Sequence, residues 1–132
     1  MVFNVEAKII NLDRVIEFVM NGLNDTNFSN EIKNEFCIAV EEIFINIVNY
    51  AYEKSDGYVL ISVIIKDTIS IRFEDSGCPY NPLEQSEPDL NKPINERQIG
   101  GLGIHIAKNL IDNMEYLRIN DKNILKISKN NC

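Results

Sequence analysis

The sequence predicts an α+β fold, a two-layer sandwich in which helices cover one face of a mixed, largely antiparallel sheet. Two pairs of β-branched segments are each joined by a short polar turn, which is typical of antiparallel hairpins. Apolar segments with helical periodicity lie before the first pair and between the two pairs. The predicted order is therefore a strand, two helices, a hairpin, a long loop, a helix and a hairpin.

The first strand and the first helix occupy the start of the chain. Residues 2–9 alternate partly between apolar and polar side chains and predict a strand. Asn11 is the predicted N-cap of a helix over residues 12–22, because an Asn side chain accepts hydrogen bonds from free helix N–H groups. The polar residues 21–30 predict a loop.

A long helix is predicted over residues 31–52. Ser29 or Asn30 is expected to cap it, and the break at residues 55–57 follows it. Its apolar side chains cover more of the helix circumference than the single apolar stripe of a surface helix. We therefore expect this helix to be mostly buried.

The rest of the chain is predicted to hold two hairpins, with a long loop and a helix between them. The loop contains four prolines and few apolar side chains, and a loop of about twenty residues in a compact domain is usually a lid or a binding segment. We expect the last hairpin to turn at Asp121 and Lys122. The predicted bounds are strands 58–66 and 69–74, loop 78–99, helix 103–114, and strands 116–120 and 123–128.

Length and composition predict one globular domain over residues 1–132. The chain has 132 residues, of which 45% are apolar, and this is enough for one core. The formal net charge is −7. An acidic surface disfavours direct binding to nucleic-acid phosphates, because no basic face is available to replace their counterions.

Cysteine usage and the apolar segments predict the compartment. The three cysteines, Cys37, Cys78 and Cys132, include no C-x-x-C pair, so we expect neither a disulfide framework nor a zinc site. A reducing, cytoplasmic location fits this pattern best. The N-terminal residues lack the pattern of a signal peptide, and no apolar run in the sequence is long enough for a membrane span.

Glu42 and Asn46 form the first candidate site. They are four residues apart on the long helix and differ by about 40° around its axis, with Asn49 one turn further along the same stripe. Glu41 lies about 140° from Asn46 and faces elsewhere. A buried carboxylate needs a partner or a cation, and amide oxygens suit Mg²⁺. The functional interpretation makes Glu42 a general base and Asn46 a Mg²⁺ ligand; the alternative is a solvated polar stripe.

The turn Asp75-Ser76-Gly77, directly after a predicted strand, is the second candidate site. The Asp75 carboxylate could accept a hydrogen bond from an exocyclic amine such as adenine N6. Gly77 could let the backbone approach the base closely. The alternative is an ordinary turn, which this sequence also fits.

The run Gly100-Gly101-Leu102-Gly103 is the third candidate site, and it opens the last predicted helix. Free N–H groups at a helix N-terminus suit phosphates. The run matches neither a Walker A loop nor a dinucleotide fingerprint, and the alternative is a flexible hinge to the loop. Arg97, or less favourably Lys92, is the loop cation that could reach a phosphate.

The remaining candidates are expected to be structural. His105 is the only histidine, and no partner for a metal site or a hydrolase triad stands at suitable spacing. Tyr50 and Tyr52 are expected to pack in the protein and not to stack on a ligand.

Taken together and in this order, the three candidate sites resemble the boxes of the GHKL ATPase superfamily, the fold of gyrase, Hsp90 and histidine-kinase ATP domains. The matching segments are E-E-x-x-x-N-x-x-x-x-A-Y at residues 41–52, D-S-G-C-P-Y-N-P at residues 75–82 and G-G-L-G-I-H-I-A-K-N-L-I-D at residues 100–112. Tyr50, in the first segment, departs from the family pattern, since many members have His at that position.

Within the superfamily, the size and the D-x-G-x-P box are similar to the small bacterial anti-sigma factor serine kinases. Those proteins bind a sigma factor and phosphorylate a serine of a small anti-anti-sigma (STAS) protein. The resemblance implies a homodimer that binds ATP with Mg²⁺, with Glu42 as base, Asn46 on the metal ion and Asp75 on adenine. The predicted nucleotide contacts are Asn46, Asn49, Asp75, Gly77, Arg97, Gly100, Gly101, Leu102 and Gly103.

Three functions remain open from the sequence. The first is a serine kinase that is also an anti-sigma factor, and Glu42 in the base position favours it. The second is a nucleotide-binding module that sequesters a partner without phosphate transfer. The third is a detached ATP domain of a histidine kinase, which the absence of a two-helix phosphoacceptor segment disfavours.

Overall fold

A computed structural model describes residues 1–84 and 99–130, and gives the backbone alone for residues 99–102. Within these ranges the chain forms five strands and three α-helices. Their bounds are β1 Val2–Glu6, α1 Leu12–Asn24, α2 Asn30–Asn46, β2 Tyr58–Ile65, β3 Thr68–Asp75, α3 Ile99–Leu110, β4 Asn113–Ile119 and β5 Lys122–Asn130.

One sheet joins the five strands in the order β1-β2-β3-β5-β4, which confirms the predicted two-layer α+β sandwich. Every pairing is antiparallel, so the sheet is not mixed. The inward side chains of central β3, Ile69, Ile71 and Phe73, are fully buried. The outward Arg72 and Glu74 form an ion pair at 3.1 Å. The helices therefore cover one face, because residues two apart on a strand point to the same side.

The helix caps follow the prediction at α2 and follow it only in part at α1. The Ser29 hydroxyl accepts a hydrogen bond from the Ile32 N–H at 3.2 Å and caps α2. Asn11 is the N-cap residue of α1, as predicted, but its side chain makes no capping hydrogen bond. Its amide instead donates to the Glu6 carbonyl at 2.9 Å and fixes the turn between β1 and α1.

The long helix reaches almost to its predicted end, but its last turn is widened. After α2 the chain continues as a π-helical turn, Ile47–Ala51. The Ala51 carbonyl leaves the helix and accepts the N–H of Cys78 at 2.8 Å. This bond joins the end of the helix to the turn after β3.

The helix predicted over residues 103–114 is displaced, since α3 begins and ends four residues earlier. Directly after it, the N–H of Asp112 donates to the Ser128 carbonyl at 3.0 Å, and Met114 pairs with Ile127 in the sheet. An apolar residue such as Met114 fits a helical and a strand pattern equally well, and here pairing with β5 decides between them.

Two boundaries in strands are also different from the prediction. β1 ends at Glu6 because the N–H of Lys8 donates to the Glu6 carbonyl at 2.8 Å and turns the chain. The last hairpin turns at Asn120 and Asp121, whose φ angles are 53° and 61°. Two consecutive positive φ angles are typical of a type I′ turn, which matches the twist of the strands.

Most of the predicted loop 78–99 lies outside the described residues, including Arg97 and Lys92. Within residues 1–84 and 99–130, no helix has the length and the apolar character needed to cross a membrane.

Candidate functional site

A pocket lies between α2, α3 and the sheet, beside the end of β3. A mostly apolar pocket with a few convergent polar groups is the usual form of a small-molecule site. Its apolar walls are Ile43, Ile47, Pro82, Ile104 and Leu125. Its polar side chains are Asn46, Asp75, Tyr80, Tyr116 and Asn123.

Asp75 is the buried acid of this pocket, with 4% of its surface exposed. Its Oδ1 accepts hydrogen bonds from the Gly77 N–H and from Asn123 Nδ2, each at 2.9 Å. Burial raises the pKa of the Asp75 carboxyl above its ordinary value, and the two bonds and the charge of Arg118 act in the opposite direction. Among the described residues both bonds reach Oδ1, so Oδ2 can accept from a ligand.

Asn123 connects the polar groups at this end of the pocket, and it was not among the predicted site residues. Its Nδ2 also donates to the Cys78 carbonyl at 2.7 Å, and its Oδ1 accepts from the Tyr80 N–H at 3.2 Å and from the Tyr116 hydroxyl. The signal was the inward position of residue 123, because Leu125 and Ile127 on the same side of β5 are apolar.

Asn46 reaches the pocket from the last turn of α2. It is 4% exposed, and its Nδ2 is the one fully buried side-chain nitrogen or oxygen without a hydrogen-bond partner in the described part of the chain. An unsatisfied buried polar group costs about 1–3 kcal/mol, so a ligand in the pocket that supplied a partner would remove this penalty.

Glu42 lies one turn before Asn46, half-buried between α2 and α3. A side-chain carbon at Gly103 would lie 2.3 Å from Glu42 Oε2, so the carboxylate sits directly against α3. Burial raises the pKa of the Glu42 carboxyl, and the charge of neighbouring Glu41 raises it further. Glu41 itself is exposed, as expected for another face, whereas Asn49 is exposed and lies outside the pocket lining.

Gly77 has a structural reason to be glycine that the sequence did not reveal. A Cβ there would lie 2.4 Å from the Ala51 carbonyl oxygen, the atom that also accepts from Cys78. The Gly77 carbonyl in turn accepts from Arg118 Nη1 at 3.0 Å. The absent side chain therefore allows contact with the helix end, and close approach to a base stays a prediction.

The glycine run lies inside α3 and not ahead of it. Gly100, Gly101 and Leu102 form its first turn, and Gly103 follows, buried. The alternative interpretation of this run, a flexible hinge, does not match the described backbone, because α3 continues through it. Contact of these residues with phosphates stays a prediction, and the predicted contact of Arg97 falls outside the described residues.

The residues expected to be structural make contacts within the protein. His105 Nε2 and Asn109 Nδ2 are 3.3 Å apart on α3. The Tyr52 hydroxyl accepts the Ser76 N–H at 2.8 Å. The ring of Tyr50 stacks on that of Tyr80, with centroids 5.0 Å apart, so Tyr50 supports one wall of the pocket.

Relatives with curated functions are serine-protein kinases. The chain is 27% identical over 109 residues to the serine-protein kinase RsbW of Bacillus mycoides, and 28% identical over 109 residues to RsbW of Bacillus cereus. Each match covers 78% of this chain and 68% of the relative.

A solved structure shares the fold. The structure of the RsbU and RsbW domains of a Mycobacterium tuberculosis protein matches 98% of this chain with a TM-score of 0.65 at 11% identity. This chain covers 32% of that longer one, and at 11% identity the likeness concerns the fold alone. The sequence model of the histidine kinase-like ATPase domain family matches residues 5–129 of this chain. The chain therefore belongs to that family.

Proposed function

We propose that the protein is an ATP-dependent serine kinase that phosphorylates a small STAS protein and also sequesters a sigma factor. Membership of the histidine kinase-like ATPase family supports nucleotide binding, and similarity to RsbW kinases supports serine as the acceptor. One observation carries the proposal: the pocket combines the buried Asp75 carboxylate with the unpartnered amide of Asn46, and a ligand would complete both.

Asp75 would recognise the base. Its Oδ2 would accept a hydrogen bond from the adenine amino group, while Asn123 and Gly77 hold Oδ1. Guanine would present a carbonyl oxygen to the same carboxylate, and two acceptors repel each other. The arrangement therefore favours adenine over guanine.

Asn46 fits a site for Mg²⁺ bound to the phosphates. Rotation of its amide by 180° exchanges the nitrogen and oxygen positions, which places Oδ1, a hard ligand, where the unpartnered atom lies. In the described part of the chain, no group of three His, Cys, Asp or Glu side chains could hold a metal ion. When bound, Mg²⁺ would neutralise charge on the phosphate oxygens.

Glu42 would be the general base. Its carboxylate takes the proton of the substrate serine hydroxyl while the hydroxyl oxygen forms a bond to the γ-phosphorus of ATP. The bond from that phosphorus to the bridging oxygen breaks, and ADP leaves. Burial against α3 and the charge of Glu41 raise the pKa of the Glu42 carboxyl, which brings its proton affinity closer to the working pH.

The nucleotide would also select the protein partner. We expect a homodimer to bind the sigma factor more tightly with ATP and the STAS protein more tightly with ADP. A ligand shifts such a balance only through its different affinity for two conformations. The net charge of −7 supports a basic partner surface and disfavours nucleic acid.

One observation favours a second candidate function, a nucleotide-binding module that retains its partners without phosphate transfer. Asn49, one turn beyond Asn46 on the same stripe, is exposed and outside the pocket, so the polar stripe enters the pocket only in part.

Two measurements test these functions in sequence. Isothermal titration with ATP and ADP in the presence of Mg²⁺ should show saturable binding; no binding at millimolar nucleotide would contradict both candidates. Transfer of labelled γ-phosphate to STAS proteins encoded beside the gene, together with pull-downs in ATP and ADP, then separates them. Binding with partner retention but without transfer would establish the second candidate.

A further inference from the structure

The Glu42 carboxylate lies at the α2–α3 interface, where a side chain of residue 103 would otherwise be. A Cβ built on Gly103 would lie 2.3 Å from Glu42 Oε2 and 3.3 Å from its Cδ. Apart from its chain neighbours and the nearby backbone of its own helix, the three nearest atoms all belong to Glu42, the third being Cγ at 4.0 Å. The space that a side chain of residue 103 would fill is therefore occupied by the Glu42 carboxylate.

The backbones of the two helices cannot easily move apart to make room. Ile43, next to Glu42, is 1% exposed, and Ile104, next to Gly103, is 2% exposed. Separating the helices would open gaps around these side chains, and close-packed interiors resist such gaps. The end of a glutamate side chain, in contrast, turns easily about its own bonds. A methyl group at residue 103 would therefore displace the carboxylate and leave the helices in place.

We infer that Gly103 is a positioning residue, whose missing side chain gives the Glu42 carboxylate its place between α2 and α3. The inference rests on the proposed function, in which Glu42 is the base. Residue 103 then affects phosphate transfer by positioning the Glu42 carboxylate, and not by contacting the phosphates of the nucleotide. A displacement of about 1 Å at a reacting group can reduce a rate by about 10²-fold.

The central variant is Gly103→Ala, and Gly22→Ala is its matched control. Gly22 is also a buried helical glycine, and its Cβ would lie 2.4 Å from Cε of Met1, another flexible side-chain end, on a helix that does not line the pocket. Alanine favours helix formation in both places, so both variants should fold. We expect Gly103→Ala to lower kcat for phosphate transfer by about 10-fold or more, with the Kd for ATP changed less than about 3-fold. Gly22→Ala should change neither.

A double variant tests whether the effect passes through Glu42. Glu42→Gln removes the base, so adding Gly103→Ala to it should reduce the rate no further. The NMR resonance of the Glu42 carboxyl carbon should shift in Gly103→Ala and stay in place in Gly22→Ala. This readout needs no catalysis, so it decides the inference even if the wild type transfers no phosphate and the proposed kinase function fails.

Three results would overturn the inference. An unmoved Glu42 resonance in Gly103→Ala would show that the carboxylate does not occupy this space. A parallel loss of ATP affinity and rate would place residue 103 against the phosphates. A further loss of rate in the double variant, beyond that of Glu42→Gln alone, would show an effect independent of Glu42.

Discussion

The two ends of the pocket differ in how completely their polar groups are paired. At the sheet end, Asp75 and Asn123 bond to each other, to the turn after β3 and to Tyr116. At the helix end, Asn46 Nδ2 has no partner among the described residues, and the Glu42 carboxylate, one turn away and outside the pocket lining, is partly desolvated. The sheet end is thus organised without a ligand, whereas a ligand would complete the helix end.

This difference assigns different tasks to the two ends. A fixed acceptor is suited to recognition, because little entropy is lost when the ligand binds. A carboxylate with raised proton affinity is suited to proton transfer. Variants at the sheet end should therefore change affinity, and variants at the helix end should change rate.

Glu42→Gln should give the largest effect. It keeps the shape of the side chain and removes the base, and general-base catalysis is typically worth about 10²–10⁴ in rate. We expect phosphate transfer to fall by at least about 10²-fold, while ATP affinity measured by titration stays within about 3-fold. Glu41→Gln, on the exposed face, is the control and should change neither. An equal loss of ATP affinity in Glu42→Gln would contradict the assignment of affinity to the sheet end and of rate to the helix end.

Asp75→Asn should affect affinity and leave the chemistry intact. It removes the charge proposed to accept the adenine hydrogen bond, and we expect a cost of about 1.5–3 kcal/mol, or roughly 10- to 150-fold in the Kd for ATP. The rate at saturating ATP should be preserved. Glu74→Gln, one residue earlier on the solvent face of β3, is the control. Unchanged binding in Asp75→Asn would remove Asp75 from the nucleotide site.

Asn123→Ala should loosen the organised end. Leaving the buried Asp75 with one partner fewer should lower the free energy of unfolding by about 1–3 kcal/mol, and the Kd for ATP should rise less than in Asp75→Asn. Urea unfolding and titration of the same samples measure the two quantities. Asn113→Ala, at an exposed position of β4, is the control. A stability equal to that of the wild type would mean that Asn123 does not organise this end.

Tyr50→Leu should have a smaller effect, since it removes one ring of the Tyr50–Tyr80 stack and keeps apolar volume. Stacked aromatic pairs contribute about 0.5–1.5 kcal/mol beyond their buried area, and we expect a loss of unfolding free energy of that size. Tyr50→Phe, which keeps the ring, is the control. If both variants lose the same stability, the hydroxyl and not the stack is responsible.

The pH dependence of stability should give the smallest effect. The pKa of Asp75 in the folded protein is raised above its ordinary value of 3.8, so the folded state holds this proton more tightly than the unfolded state. The free energy of unfolding should therefore fall as the pH rises from about 3.8 through the raised value, and then level off.

The same unfolding experiment separates the contributions to this fall. The pKa of Glu42 is also raised, from its ordinary value of 4.5, so Glu42 too lowers the free energy of unfolding as the pH rises. Unfolding is therefore measured in the Glu42→Gln variant, which lacks this contribution. Asp75→Asn should flatten the remaining dependence. Asn123→Ala removes a bond that lowers the pKa of Asp75, so the fall should extend to higher pH. A rise in stability over this interval would reverse the sign assigned to Asp75.

Much of the fold, and two of the five polar side chains that line the pocket, followed from local patterns. Period-two and period-3.6 spacing identified the strands and helices, because each pattern places apolar side chains on one face. The angle between Glu42 and Asn46 followed from the geometry of one helix. The predicted end of α3 was wrong, because Ile111 and Met114 satisfy both periods, and pairing with β5 decided where the strand begins.

The sequence by itself determined which side chains share an element face. The tertiary structure decided which faces meet. Asn123 lies 48 residues from Asp75, and the antiparallel register of β3 and β5 places them opposite each other. Gly103 meets Glu42 only because α2 and α3 pack together. Such contacts depend on strand order and helix packing, which are set by the burial of the whole core, and no local periodicity contains that information.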